Sequence, residues 1–173
     1  AARGPARGPA RGDNQQTPFF LAVLAPQGTA YVSSAAPVLY WALPKATDKT
    51  LELVIYNPHA EDFAQRVPIV EHQFTLNKAG LQSIDLAQHQ AQLEAGVEYE
   101  WSGVIMMGGE NARSLDMVSS GTIKYMPLAA DLAAQIKAAS SREALSLYAE
   151  NSYWYDAMAL VAQQIPAEPG NAS

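Results

Sequence analysis

Apolar and polar residues alternate along much of the first 125 positions, and a period of two is typical of β-strands with one buried face. The clearest example runs from Pro37 to Leu43, where Leu39, Trp41 and Leu43 share a face. Turn residues separate further runs of this kind. With 37–43, the predicted strands are 17–25, 31–32, 51–56, 69–76, 81–86, 93–107 and 114–125. This pattern predicts a mainly β chain, an immunoglobulin/fibronectin-like antiparallel sandwich of about seven main strands.

The stretch Leu-Glu-Ala-Gly-Val-Glu-Tyr-Glu-Trp at 93–101 predicts the crossing between the two sheets. In β-sandwiches a tyrosine at this corner bonds through its hydroxyl to upstream backbone. We therefore predict structural roles for Leu93, Gly96, Tyr99 and Trp101, and we place Trp41 in the same core. This stretch therefore predicts a feature of the fold, and it gives no indication of a catalysed reaction.

After Pro127 the apolar spacing changes to the period of an α-helix, which predicts a cap of two to three helices. Ser140 followed by Glu143 is a capping-box sequence. We expect Asn151 to end that helix in the left-handed conformation. The last helix is predicted over 153–165, and its expected packing face is Tyr153, Ala157, Leu160 and Val161.

The first twelve residues repeat Ala-Arg-Gly-Pro and contain nothing apolar larger than alanine, so they cannot build a core. We predict a flexible, partly polyproline-like basic arm. The expected organisation is an arm over 1–16, a β-sandwich over 17–126, helices over 127–165 and a tail over 166–173.

Charge separates the arm from the remaining chain. Eleven Lys and Arg against 17 Asp and Glu give a net charge of −6. Arg3, Arg7 and Arg11 give residues 1–12 a charge of +3, which leaves −9 on residues 13–173. An acidic body argues against nucleic acid as the partner. Nor does any apolar run approach the ~20 residues of a transmembrane helix.

The absence of Cys excludes structural disulfides and Cys-ligated metals, and it identifies no compartment. The sequence starts Ala-Ala-Arg, without Met, which suits removal of a signal peptide. Trimming for another reason is the alternative. We expect an extracytoplasmic protein, periplasmic or secreted.

Candidate chemistry is sparse. There is no Gly-x-Ser-x-Gly nucleophile motif. His59 with Glu61 and Asp62 is the nearest local group of metal-ligand types, and we interpret it as loop polarity. Glu98 and Glu100 alternate with apolar neighbours and are interpreted as an outward strand face. The sequence therefore predicts no catalytic, cofactor or metal site, and no enzyme.

The aromatic residues Tyr153, Trp154 and Tyr155 are interaction candidates, because consecutive helical positions point about 100° apart and cannot share one core face. At least one should be exposed or meet a partner, and such residues are frequent interface hot spots. The alternative is that two pack onto the sandwich and one is half buried. The arm, with Arg3, Arg7 and Arg11, is the second candidate: it could add to an exposed sheet edge or lie along an acidic face of another subunit.

The segment 147–157, Leu-Tyr-Ala-Glu-Asn-Ser-Tyr-Trp-Tyr-Asp-Ala, is the most specific string in the chain. It resembles the bacterial family DUF928, a domain of unknown function in predicted envelope proteins. The Arg-Gly-rich start, the strand with Tyr40-Trp41, the segment 74–76 and the stretch 93–101 also match in order. The resemblance implies an extracytoplasmic setting and no known activity. Many members carry two Cys that are missing here, near Gln16 and Met107.

These observations predict a non-enzymatic interaction or structural module of a bacterial envelope or extracellular assembly. Its arm would dock on a neighbouring subunit, so the partner is another envelope protein or a further copy of the chain. The alternative is a β-sandwich that binds carbohydrate or another small ligand through exposed aromatics.

Overall fold

A computed structural model describes residues 18–62, 67–108 and 111–165. Over these residues the chain forms eight β-strands in two sheets and then three α-helices, so the class is largely β with a helical C-terminal part. The predicted arm over 1–16, the tail over 166–173 and the turn residues 109–110 lie outside the described residues.

The elements follow the predicted order. The strands are β1 Ala22–Val23, β2 Thr29–Val32, β3 Val38–Leu43, β4 Thr50–Tyr56, β5 Val70–Thr75, β6 Gly80–Asp85, β7 Glu98–Ile105 and β8 Met117–Tyr125. The helices are α1 Ala130–Ala138, α2 Ser141–Glu150 and α3 Trp154–Gln164. Short 3-10 turns occupy Leu86–His89 and Arg113–Leu115.

The two sheets have the strand orders β1-β3-β6 and β2-β8-β7-β4-β5. Every pairing is antiparallel except that of β2 with β8, which is parallel. The expectation of purely antiparallel strands was therefore wrong at this edge. The reason is the turn at Gly28, which has a φ of 82°. It carries the chain from one sheet to the other, so that β2 runs alongside the last strand in the same direction.

The core lies between the two sheets and follows the predicted alternation. On β3, Leu39, Trp41 and Leu43 are all buried. Trp41 and Trp101 are the largest fully buried side chains, with exposed fractions of 1% and 0%. Burying a large aromatic side chain removes roughly 150–250 Å² from water, so the two tryptophans are major contributors to the core.

The segment before β7 makes a tight corner. The hydroxyl of Tyr99 accepts a hydrogen bond from the backbone N–H of Glu94, 3.2 Å away. Gly96 has a φ of 78°, a conformation that glycine adopts without strain, and its N–H donates to the carbonyl of Tyr125. Leu93 is buried beside this turn. The corner thus ties the start of β7 to the end of β8.

Helix α2 begins with the predicted capping box. The Ser140 hydroxyl accepts the Glu143 N–H, and the Glu143 carboxylate accepts the Ser140 N–H. The predicted conformation of Asn151 was wrong. Asn151 has a φ of −100° and donates through Nδ2 to the Leu147 carbonyl, while Ser152 takes the left-handed conformation with a φ of 68°. The side-chain bond holds Asn151 in the last turn, and the reversal moves to the next residue.

Helix α3 packs on β2 and β3, whereas α1 contacts α2. Of its predicted packing face, Tyr153 and Ala157 are buried but Val161 is 40% exposed. The prediction was therefore wrong at Val161, whose side chain lies on the exposed side of the helix.

Candidate interaction surface

One face of the five-stranded sheet is turned away from the core and forms a broad, solvent-accessible surface. On β4, Leu51, Leu53 and Ile55 point inward, so the intervening side chains point outward. The outer-face row continues across β7 and β8, where Val118 is 65% exposed. Since α3 packs on β2 and β3, the outer sides of β4, β7 and β8 remain at the surface.

The outer sheet face is acidic. Register places Glu52 opposite Val104 on β7, and Val54 opposite Glu71 on β5. Side chains that pair across strands lie on the same face of the sheet. Glu52 and Glu71 therefore share the outer face with Glu98 and Glu100 of β7. The outward charged residues of the five described strands are Glu52, Glu71, Glu98, Glu100 and Lys124. This surface therefore carries four carboxylates and one ammonium group.

Glu98 is the centre of a cross-strand network. Its carboxylate accepts hydrogen bonds from the Thr29 hydroxyl on β2, at 2.5 Å, and from His59 Nε2, at 2.9 Å. The Thr29 bond first, and then the His59 bond, lower the pKa of Glu98. His59 thus contacts a strand carboxylate 39 residues away in sequence, which connects the loop after β4 to the sheet.

Tyr56 and Glu100 form a second cross-strand pair on this face. They are register partners on β4 and β7, and the Tyr56 hydroxyl donates to Glu100 Oε1 over 2.9 Å. This bond to a carboxylate is the main cause of the raised pKa of Tyr56. The two predicted outward glutamates of β7 thus both have partners within the sheet.

Strand β5 is the last strand of this sheet and exposes one backbone edge. Its central residues Glu71, His72 and Gln73 are exposed. The strand contains neither Pro nor Lys, residues that commonly block sheet edges. At the opposite end of the sheet, β2 is packed against α3. The β5 edge therefore offers backbone donors and acceptors to an added strand.

The three consecutive aromatics do not form an exposed cluster. Tyr153 and Tyr155 are buried, with exposed fractions of 7% and 4%, and Trp154 is half-buried. The Tyr155 hydroxyl accepts from Trp101 Nε1 at 3.1 Å and donates to the Thr122 carbonyl at 2.9 Å. Burial raises the pKa of Tyr155 to about 12. This is the arrangement of the alternative in which two of the aromatics pack onto the sandwich.

Asp156 makes a second connection between α3 and the sandwich that sequence reasoning missed. Its carboxylate accepts both the backbone N–H of Ser33, at 2.9 Å, and the Ser33 hydroxyl, at 2.5 Å. Burial raises the pKa of Asp156, and the two Ser33 bonds oppose that rise. A cavity of about 240 Å³ adjoins it, lined in part by Tyr40 and Gln163. The only hint in the sequence was a single acid among apolar helix positions. Its partner, Ser33, lies 123 residues away, so local spacing could not reveal the pairing.

A histidine pair beside the β5 edge was also missed. The rings of His72 on β5 and His89 after β6 have centroids 4.5 Å apart, and His72 also contacts Phe74. They connect the two sheets at this side. Across the described parts of the chain, no three His, Cys, Asp or Glu side chains converge as a metal site would require.

Comparisons with known proteins give a family and no activity. Within 18–62, 67–108 and 111–165, none of the helices has the length and apolar character needed to cross a bilayer. No curated protein matches the chain. The profile described as Domain of Unknown Function (DUF928) matches residues 2–173, which is essentially the whole sequence. The chain therefore belongs to the DUF928 family.

Proposed function

We propose that this chain is a non-enzymatic interaction module of a bacterial envelope or extracellular assembly, in which the arm over 1–16 docks on a neighbouring subunit. The observation that carries the proposal is the outer sheet face. It is broad, none of the described helices packs across the outer sides of β4, β7 and β8, and its strands carry four glutamates against one lysine.

The charge of the arm complements that surface. Arg3, Arg7 and Arg11 are its only ionisable side chains over the first twelve residues. Opposite charges steer association and fix orientation more than they add affinity. Such steering is screened within about 10 Å at 0.1 M salt, so docking should weaken as salt rises.

We further propose that the two sheets form an immunoglobulin-like sandwich. Three features support this topology. The first strand is divided between the sheets, as β1 beside β3 and β2 beside β8. The two inner faces share one core. The Tyr99 hydroxyl bonds to upstream backbone at the start of β7, as in the tyrosine corner of such folds.

The extracytoplasmic location and the non-enzymatic role are parts of the same proposal. The location rests on the envelope setting implied by the family resemblance. The role rests on the polar side chains of the outer face, which are engaged in cross-strand hydrogen bonds and not in a cleft. The carbohydrate-binding alternative is less well supported, because Tyr153 and Tyr155 are buried and bind the helix to the sandwich.

The test compares the full chain with a variant lacking residues 1–16, by light scattering over a range of protein and salt concentrations. We expect the full chain to associate, more strongly at low salt, and the deletion to remain monomeric. A variant with Arg3, Arg7 and Arg11 all replaced by Gln keeps the arm length and should behave like the deletion. Equal association of all three proteins would overturn the proposal.

A further inference from the structure

We infer that the cavity between α3 and the outer side of β3 binds a small organic cation, an alkylammonium molecule whose charged end meets the Asp156 carboxylate. This site lies apart from the outer sheet face, and the inference goes beyond the proposed docking of the arm and does not rest on it. The evidence consists of the shape of the cavity, the single carboxylate in its wall and the charges around it.

The cavity is lined by α3, by β3 and by the segment between β2 and β3. Tyr155 and Ala159 line it from one face of the helix, and Val38 and Tyr40 line it from the outer side of the strand. Its volume is about 240 Å³, the space of about eight water molecules at roughly 30 Å³ each. Sites for drug-sized ligands measure about 300–1,000 Å³, so a smaller molecule fits this cavity.

Asp156 is the acidic residue among the described residues that line the cavity. Its Oδ2 accepts the backbone N–H of Ser33, and its Oδ1 accepts the Ser33 hydroxyl. An ionised carboxylate offers about four acceptor positions, so Ser33 leaves it able to accept a further donor. Because Asp156 forms part of the wall, a ligand inside the cavity can supply that donor.

The Asp156 carboxylate has no basic partner in the described parts of the chain, where the one ion pair joins His59 to Glu98. None of the described residues in the cavity wall is Lys, Arg or His. Burial raises the pKa of Asp156, because the half-buried carboxylate has lost part of its hydration. A cation in the cavity would provide the opposite charge that favours the ionised form.

A second acid beside the cavity adds to its negative potential. Asp85 is the register partner of Val38, so both side chains lie on the outer side of the smaller sheet. Burial, and then the charge of Asp85, raise the pKa of Tyr40 in the cavity wall. The Asp85 carboxylate already accepts the Ala87 N–H at 3.0 Å. Asp85 therefore contributes charge to the site, and the two acids together favour a cationic ligand over an anionic one.

The remainder of the wall suits the body of an alkylammonium ion. Val38 and Ala159 are apolar and can contact a short alkyl chain. Tyr40 and Tyr155 add aromatic rings, and a cation within about 6 Å of such a ring is attracted to its face. The Tyr155 hydroxyl already has a donor and an acceptor within the fold, so this residue offers its ring alone.

A larger recess in the helical part does not share these features. It has a volume of about 530 Å³, lies between α1 and α2, and is lined in part by Glu143 and Glu150. The Glu143 carboxylate is engaged in the capping box with Ser140, and Glu150 is exposed. Solvent screens an exposed carboxylate, so a cation gains little there. Glu150 therefore provides a matched control for Asp156.

The test titrates n-butylammonium chloride into the full chain and follows the backbone amides by NMR. The control ligand is n-butanol, which has almost the same length and no charge. We expect butylammonium to shift the amide signals of residues 33–40 and 155–163. It should bind roughly tenfold more tightly than n-butanol, because only the cation forms a charge-assisted hydrogen bond. Equal binding of the two ligands, or shifts centred elsewhere in the chain, would overturn the inference.

Two charge variants test the carboxylate. Asp156→Asn keeps an acceptor for Ser33 and removes the charge, so butylammonium should bind about tenfold more weakly. Glu150→Gln removes the same charge from the other recess and should bind as the unmodified chain does. If Asp156→Asn bound butylammonium without loss, or if both variants lost the same affinity, Asp156 would not hold the cation.

A variant that fills the cavity tests the site without changing any charge. Ala159→Leu places a larger side chain in the wall and should abolish binding of butylammonium. Ala149→Leu, at an exposed position of α2, is the control and should leave binding unchanged. The amide spectrum of each variant verifies that it is folded. Undiminished binding by folded Ala159→Leu would show that the cation binds elsewhere.

A last comparison separates a free molecule from the side chain of another protein. Nα-acetyl-lysine N-methylamide carries the same butylammonium group attached to a peptide backbone. Since the cavity has room for a small molecule only, we expect this blocked lysine to bind several-fold more weakly than n-butylammonium. If the blocked lysine bound more tightly, the occupant would be a lysine of a partner protein and the free molecule would be overturned.

Discussion

Two polar networks of this protein use the same residue types in different surroundings. At the junction of α3 with the sandwich, Tyr155 bonds to the sandwich from a buried position and Asp156 from a half-buried one. On the outer sheet face, Tyr56 donates to Glu100, and Glu98 accepts bonds from its neighbours in accessible positions. A buried polar group that loses its partner stays away from water, whereas an exposed one regains water. The first network should hold the fold together, and the second should be free to meet a partner.

The carboxylates of the two networks show this difference directly. Burial raises the pKa of Asp156 despite the two bonds from Ser33. Hydrogen bonds from Thr29 and His59 lower the pKa of Glu98, where burial has a smaller effect. Desolvation therefore dominates at the helix junction and hydrogen bonding dominates on the sheet face.

The largest expected effect comes from Gly121→Ala at the helix junction. An added Cβ would overlap the Cβ of Ala25 and lie 3.1 Å from Trp101 Nε1. Neither neighbour can rotate away, so we expect a loss of about 3 kcal/mol in the free energy of unfolding. Urea denaturation measures this loss. Ser120→Ala, one residue away on the outer face, should change stability by less than about 0.5 kcal/mol. If both variants lost a similar amount of unfolding free energy, the helix junction would not stabilise the fold more than the outer sheet face does.

The next effect compares one substitution in both networks. Tyr155→Phe leaves Trp101 Nε1–H and the Thr122 carbonyl without their buried partner, and it should destabilise the fold by about 2 kcal/mol. Tyr56→Phe removes a bond on the accessible face and should cost less than about 1 kcal/mol. Urea midpoints of the two variants give the comparison. If both variants lost the same unfolding free energy, the exposure of a hydrogen bond would not determine how much that bond stabilises the fold.

The alternation of residues predicted which strand faces are buried, but not which strands are neighbours. Leu39, Trp41 and Leu43 were placed on the core face because a period of two is local information. The parallel pairing of β2 with β8 was missed because strand order depends on contacts between residues about 90 positions apart. The predicted first strand over 17–25 has only two paired residues, since the chain then turns at Gly28 to the other sheet.

The candidate sites were predictable to a similar extent. Glu98 and Glu100 were placed on the outer face from their own strand, but Glu52 and Glu71 joined them only through the sheet order. Helical geometry showed that Tyr153, Trp154 and Tyr155 could not share one face. It could not show which would be buried, because the partner of Tyr155 is Trp101, 54 residues away.

A pH experiment tests the half-buried carboxylate of Asp156. Because the pKa of Asp156 is higher in the folded chain than its ordinary value of 3.8, the folded state binds this proton more tightly. Its contribution to stability therefore falls as the pH rises from about 4 through the folded pKa. Asp156→Asn removes this titration and can still pair with Ser33. The stability of this variant relative to the unmodified chain should increase with pH over that window. If the stability difference between the two proteins did not change with pH, burial would not raise the pKa of Asp156.

The smallest effect, of opposite sign, is expected at Glu98. Its pKa is lower in the folded chain than the ordinary 4.5, so its contribution is present above that value and is lost as the pH falls through the folded pKa. With Glu98→Gln, the stability relative to the unmodified chain should therefore rise as the solution is acidified, by a few tenths of a kcal/mol, because an accessible pair is screened by solvent. Glu94→Gln, at an exposed position before β7, controls for the loss of one charge.

Added salt should reduce the Glu98 effect and leave that of Asp156 almost unchanged, because salt screens accessible charges far more than buried ones. If salt reduced both effects equally, the two carboxylates would share one environment, and the outer face would have no special claim as the docking surface.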